Sequence, residues 1–180
     1  MKSARSKTFI QGLNNFCQYI NKFVNTKTMT ILEIGSYLGD STVIFAKYFK
    51  HVISVDPYLD DLFDKKLRFD TAANIEQKFK KRIKDLPITK VKMKSLDYAK
   101  MNKDIIDIVY IDGKHNYKSV KNDIKAWLPH CRYFISGHDY WKSKFPGVIL
   151  AVNETIGKPD KTFCDFSWIK YIGAKNENNI

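Results

Sequence analysis

Four short segments of this chain gather residue types that chemistry needs. Glu33-Ile34-Gly35-Ser36-Tyr37-Leu38-Gly39 closes an apolar run and leads into a helical pattern. Glycines at 35 and 39 let the backbone turn sharply and approach a ligand closely, and a helix start just beyond adds unpaired N–H groups. The spacing is GxxxG with a glutamate two residues before it, so the dinucleotide fingerprint GxGxxG is not met. A plain strand-to-helix turn would use the same glycines. Asp56 ends a second apolar run roughly 20 residues later, where an acid can accept both hydroxyls of a ribose. Standing before Pro57, it also serves as a turn-former or cap. Ile111-Asp112-Gly113-Lys114-His115-Asn116-Tyr117 sets an acid, an imidazole and a phenol after the most apolar run, and Gly137-His138-Asp139-Tyr140 follows the next one. So many polar groups at these run ends are more than a plain turn asks for. Asn116 reads equally well as the cap of the next helix.

The elements that must position these groups follow from periodicity. Phe9, Ile10, Leu13, Phe16, Cys17, Ile20, Phe23 and Val24 recur at helical spacing, so residues 1–28 supply an amphipathic helix ahead of the core. Runs at 29–34, 51–55, 88–93, 105–111 and 131–136 read as buried strands. Asp40 and Ser41 are expected to cap a helix running to about Lys50. Further helices are expected at 71–86, at 117–128 where Pro129 closes the pattern, and at 146–156. Two short strands are expected near 162–166 and 167–172, and a loop, short helix or lid at 58–70. Strands apolar on both faces and alternating with helices predict a single-domain α/β fold over residues 1–180. Its sheet is doubly wound (Rossmann-like) and mostly parallel, with helices on both faces. Ligands then bind outside the carboxyl ends of the strands, where all four segments lie. Strands four and five are neighbours in such a sheet, so Asp112, His115, His138 and Asp139 converge.

Composition bounds the rest. At 180 residues, 44% hydrophobic and 14% aromatic, the chain is sized for one folded domain. No run approaches the ~18 apolar residues of a membrane span, so no membrane partner is expected. The basic start, Met1 to Lys7, lacks an apolar run or cleavage site behind it, which argues against a signal peptide. Cys17, Cys131 and Cys164 are scattered and never spaced CxxC, pointing to a reducing, cytoplasmic setting without a disulfide framework or zinc site. A net charge of +12 draws nucleic acid, acidic membranes or phosphorylated compounds. Its even spread along the chain, with no RNA-binding signature, reads as general surface charge.

The ordered set EIGSYLGDS, VDPY, YIDGKHNYKSVKNDIKAWLP and ISGHDY resembles the class I S-adenosylmethionine-dependent methyltransferases. It looks closest to the branch of macrocin-type sugar O-methyltransferases and cephalosporin-hydroxylase-like proteins. The likeness runs from about Ile31 to Tyr140, and IDGxHxY with GHDY is its most specific part. The resemblance implies that Gly35 and Gly39, with Glu33, Ser36 and Tyr37 in the same loop, face the methionine end of S-adenosylmethionine. Asp56 would hold the ribose, and Ser95 with Leu96 would flank the adenine. Metal-dependent members place a divalent cation between an acid after strand four and acids after strand five. Asp112, which also borders the cofactor, and Asp139 match those positions, and His115 matches the general base. Where such enzymes tend to pair two acids after strand five, this chain has His138-Asp139. Mg²⁺ prefers oxygen donors, so His138 leaves open another divalent cation, or none. The implied reaction is O-methylation of a small-molecule or sugar hydroxyl. The alternatives are a nucleic-acid methyltransferase, favoured by charge alone and lacking an NPPY-like sequence, and a non-catalytic cofactor-binding protein of the same fold. Assembly into a homo-oligomer stays open.

Overall fold

The computed structural model describes residues 6–59 and 70–173. Helix α1 (Lys7–Ile20) is capped by Ser6, whose hydroxyl accepts from the Phe9 N–H. The core then runs β1 (Thr30–Ile34), α2 (Asp40–Tyr48), β2 (His51–Val55), α3 (Ala72–Ile83), β3 (Ile88–Val91), α4 (Ser95–Met101), β4 (Ile106–Ile111), α5 (Tyr117–Trp127), β5 (Cys131–Gly137) and α6 (Pro146–Ile156). A terminal hairpin of β6 (Lys161–Thr162) and β7 (Trp168–Tyr171) completes it.

The seven strands lie in the order β3-β2-β1-β4-β5-β7-β6. β1 to β5 pair in parallel, while β7 runs antiparallel to β5 and β6 antiparallel to β7. Winding reverses between β1 and β4, which makes the carboxyl end of that pair the switch point. Alternate residues of each central strand are apolar on both faces. Leu32, Ile34, Val109, Ile111 and Ile135 pack on one side with Ile124, Trp127, Val148 and Trp168. Ile31, Ile108, Tyr110 and Phe134 pack on the other with α1 and α2. Leu13, Phe16 and Ile20 of α1 are fully buried there, each contributing roughly 1.5–3 kcal/mol by leaving water. The opening helix thus packs into the core through its apolar face.

Two expectations need correcting. Helix α2 is not capped by Asp40 or Ser41. Its N-cap is Gly39, left-handed at φ 81°, while Asp40 pairs with Arg82 at 2.6 Å and the Ser41 hydroxyl turns back to Glu33. The helix also ends at Tyr48, where Phe49 goes extended. Between β3 and β4 lies α4, which has two turns and too few residues to show a period. The loop or lid expected at 58–70 falls mostly outside the described residues. Among the described residues, no helix is long and apolar enough to cross a membrane.

Candidate active site

At the β1–β2 edge the backbone does the shaping. Gly35 sits at φ 86°, and a Cβ there would lie 2.2 Å from the Asp112 carbonyl oxygen, so only glycine lets the loop after β1 abut the loop after β4. Tyr37 is also left-handed, at φ 46°. Asp56 secures this path. Its Oδ2 accepts from the N–H groups of Ser36 and Tyr37, each at 3.1 Å, and its Oδ1 from the Tyr58 N–H at 2.8 Å. A carboxylate offers about four lone-pair sites, so one remains for a ligand hydroxyl. The Ser36 and Tyr58 hydroxyls share a hydrogen bond of 3.2 Å.

Glu33 lies beneath the loop with no exposure and accepts from the hydroxyls of Ser41 and Thr42. Burial, reinforced by the charges of Asp112 and Asp56, pushes its carboxyl up to about 8 against the help of those two hydroxyls. Ser95 opens α4, and its hydroxyl accepts from the Trp127 indole N–H at 2.8 Å. Leu96 borders a shallow groove between α4 and α5 with Ala126 and Lys125.

The β4–β5 edge is made of ionisable side chains. Register sets Ile111 opposite Gly137, so Asp112 and His138 are the next residues out on adjacent strands. Asp139 is left-handed at φ 61°, and its carboxylate reaches both imidazoles. His115 Nδ1 is 2.7 Å from Oδ2, and His138 Nδ1 is 3.0 Å from Oδ1. His138 Nδ1 also lies 3.9 Å from Asp112. Asn116 caps α5, accepting from the Ser119 N–H, and thereby fixes where His115 leaves the loop. Thus Asp112, His115, His138 and Asp139 meet, and ligating atoms of Asp112, His138 and Asp139 all lie within 4.8 Å of one another.

Charge is finely opposed here. Burial resists charging His138, yet Asp112, Asp139 and Asp165 outweigh it and push it up to about 9. His115 is raised too, its burial outweighed mainly by the bond to Asp139. Burial alone would raise Asp139, but the two imidazoles hold it well below the usual carboxylate range. One contributor was missed by sequence reasoning. Asp165, almost fully buried between β6 and β7, points Oδ2 at His138 Nε2 from 3.8 Å. The edge of Phe9 packs on the same imidazole, with ring centroids 5.5 Å apart.

A methyltransferase domain family matches residues 32–140, more than half of the 180. The chain belongs to that family. This methyltransferase has no match among curated proteins. Its fold is similar to that of the O-methyltransferase NovP, with a TM-score of 0.67 at 14% identity over 89% of this chain and 79% of that one. CalS11, a TDP-rhamnose 3'-O-methyltransferase of calicheamicin biosynthesis, gives 0.62 at 14% identity, over 91% and 79%. SMU.1697c from Streptococcus mutans, described as a putative methyltransferase in complex with SAH, gives 0.59 at 10% identity, over 89% and 98%. At such identities these structures establish the class I S-adenosylmethionine-dependent methyltransferase fold.

Proposed function

We propose that this methyltransferase, acting as a single domain, methylates a hydroxyl of a small molecule, with His115 as general base. The 2.7 Å pairing of His115 Nδ1 with Asp139 carries the reading. With its Nδ1–H directed at Asp139, the ring presents Nε2 as the proton acceptor. The His115 side chain keeps 42% of its exposure, so a hydroxyl can reach it from outside the sheet edge.

S-adenosylmethionine, when bound, supplies a methyl group on a sulfonium and leaves as S-adenosylhomocysteine. The loop from Gly35 to Gly39 and the remaining acceptor site on Asp56 suit its methionine end and ribose. Ser95 and Leu96, just beyond β3, would flank its adenine. Glu33 supports the loop from below. As the acceptor oxygen takes that methyl group, His115 Nε2 would receive the proton that the hydroxyl gives up. Holding oxygen and methyl in line is the greater part of the task, and fixed strand ends suit it.

Asp112, Asp139 and His138 fit a divalent cation, which would supply Lewis acidity to the acceptor hydroxyl. The donor set of two carboxylates and one imidazole suits a first-row transition ion better than Mg²⁺. His138 Nδ1 is the atom facing both carboxylates, so cation and imidazolium proton exclude one another.

Calorimetry with S-adenosylmethionine, in Mn²⁺, in Mg²⁺ and in excess chelator, tests both parts. Cofactor binding without NAD binding is expected. Asp112→Asn should abolish any Mn²⁺-dependent activity while leaving cofactor affinity largely intact. Full activity in chelator overturns the cation, and failure to bind the cofactor overturns the reading itself.

A further inference from the structure

Two non-glycine residues at the rim of the site, Asp139 and Phe166, hold left-handed backbone at φ 61° and 67°. Such conformations cost about 1–3 kcal/mol each and persist where neighbours enforce them. Here one hydrogen bond joins the two loops and a second closes a turn within the first. The Tyr140 N–H donates to the Phe166 carbonyl at 3.0 Å, and the Trp141 N–H to the Asp139 carbonyl at 2.7 Å. The outcome is an indole laid flat on a phenyl ring, Trp141 on Phe166, with centroids 4.3 Å apart and planes 2° from parallel.

This platform fixes a cation. Lys144 Nζ lies 5.4 Å from the Trp141 ring centre and 5.1 Å from that of Phe145, and the Phe145 ring is itself 5.0 Å from the His115 imidazole. Ring faces attract an ammonium within about 6 Å but satisfy none of its three N–H donors. Several placed lysines elsewhere meet a carboxylate, while Lys161, far from His115 in the chain, lies over the rings of Tyr19 and Phe163. Lys80, Lys90 and Lys92 surround Glu76, Lys121 meets Glu154, and Lys170 meets Asp160. Among the described residues Lys144 meets no carboxylate, and neither do Lys114 and Lys142, which are exposed beside it in sequence or beside His115. The acids of the site interior are meanwhile occupied with His115 and His138.

We propose that Lys144 receives a phosphoryl group of the acceptor, so that the hydroxyl methylated at His115 belongs to a phosphorylated small molecule such as a sugar phosphate or nucleotide-linked sugar. The proposal rests on the methyltransferase reading above. A compact dianion suits an ammonium, whereas planar carboxylates favour the guanidinium fork. Arg82 and Arg132 are committed to Asp40 and Asp107, away from this rim.

The test is calorimetry on enzyme saturated with S-adenosylhomocysteine, comparing glucose 1-phosphate and uridine diphosphate glucose with glucose itself. The phosphorylated pair should bind about tenfold tighter or more, the worth of one charge-assisted contact. Lys144→Gln should erase that preference and Lys144→Arg keep most of it, with S-adenosylhomocysteine affinity unchanged in both. Lys158→Gln, remote from the rim, should keep the preference in full. Equal binding of plain and phosphorylated sugars, a preference that survives Lys144→Gln, or no binding by any of the three overturns the proposal. If the unaltered chain fails to bind S-adenosylhomocysteine, the methyltransferase reading falls instead.

Discussion

At the β1–β2 edge, Gly35, Ser36, Tyr37, Asp56 and Tyr58 are tied together by hydrogen bonds to backbone N–H groups and by a contact too close for any side chain at 35. At the β4–β5 edge, Asp112, His115, His138 and Asp139 are held by opposed charge, and the buried His138 Nε2 has no hydrogen-bond partner among the described residues. The first arrangement is rigid and, but for one acceptor site left on Asp56, internally satisfied, as the cofactor surface proposed above would need to be. The second stores protons at atoms that touch one another, as the proton transfer proposed above would need. If this contrast is right, damage at the two edges should differ in kind.

The largest effect should come from the proton-bearing edge. His115→Ala is expected to lower turnover by ~10²–10⁴-fold, the usual worth of a positioned base, while leaving S-adenosylmethionine affinity unchanged. The pH profile gives a second readout. Only neutral His115 accepts a proton, and its charged form is stabilised, so wild-type turnover should climb as pH rises through a value above 6.5. The variant should lose that limb and recover only as the hydroxyl itself ionises. A variant with wild-type turnover and an unchanged profile would remove His115 from the chemistry.

Damage to the rigid edge should cost folding and cofactor binding together. In Gly35→Ala the new Cβ meets a backbone oxygen, which cannot swing aside as a side-chain tip could. A positive φ adds roughly 1–2 kcal/mol for an L-residue, so a total of about 3 kcal/mol is expected. For a chain of this size that lowers Tm by about 6–12 °C. Thermal melts with and without S-adenosylhomocysteine check it. A stable variant that simply binds less cofactor would show that the loop is softer than the contacts imply.

How far each edge was legible in the sequence follows from the same contrast. Glycines 35 and 39 and the aspartates after apolar runs announce themselves, because strand ends in a doubly wound sheet are where such residues have little structural excuse. What they touch was less legible. Asp56 was expected to face a ribose, and its carboxylate turns out to hold three backbone N–H groups, which no spacing rule encodes. Asp165 was invisible because antiparallel pairing of β7 with β5 brings its loop back beside His138, a long-range consequence of the terminal hairpin. The α2 cap was misassigned because Asp40 and Ser41 are good cap residues, yet Gly39 already provides the left-handed turn and frees both for other partners.

The smallest effect concerns Glu33, which belongs to the rigid edge yet is ionisable. Its carboxyl titrates near 8 when folded, against 4.5 for an ordinary glutamate, because burial disfavours the charge. The sign follows from linkage. Below pH 4.5 both states are protonated and nothing changes; between there and about 8 the unfolded chain releases the proton while the folded chain keeps it, so stability falls as pH rises. Glu33→Gln removes that slope while keeping a group that the Ser41 and Thr42 hydroxyls can bond. Wild type and variant should melt together near pH 5. Near pH 8.5 the variant should be the more stable of the two, with the gap in Tm opening as pH rises between about 4.5 and 8. Other titrating groups, His138 among them, contribute alike to both proteins, so the difference in Tm isolates Glu33. A difference that stays flat with pH would mean that the two hydroxyls suffice to keep the carboxylate charged. Cofactor affinity sharpens the outcome. Unchanged binding in the glutamine variant leaves Glu33 as support beneath the loop, whereas lost binding in a well-folded variant would make it a direct contact and blur the line between the two edges.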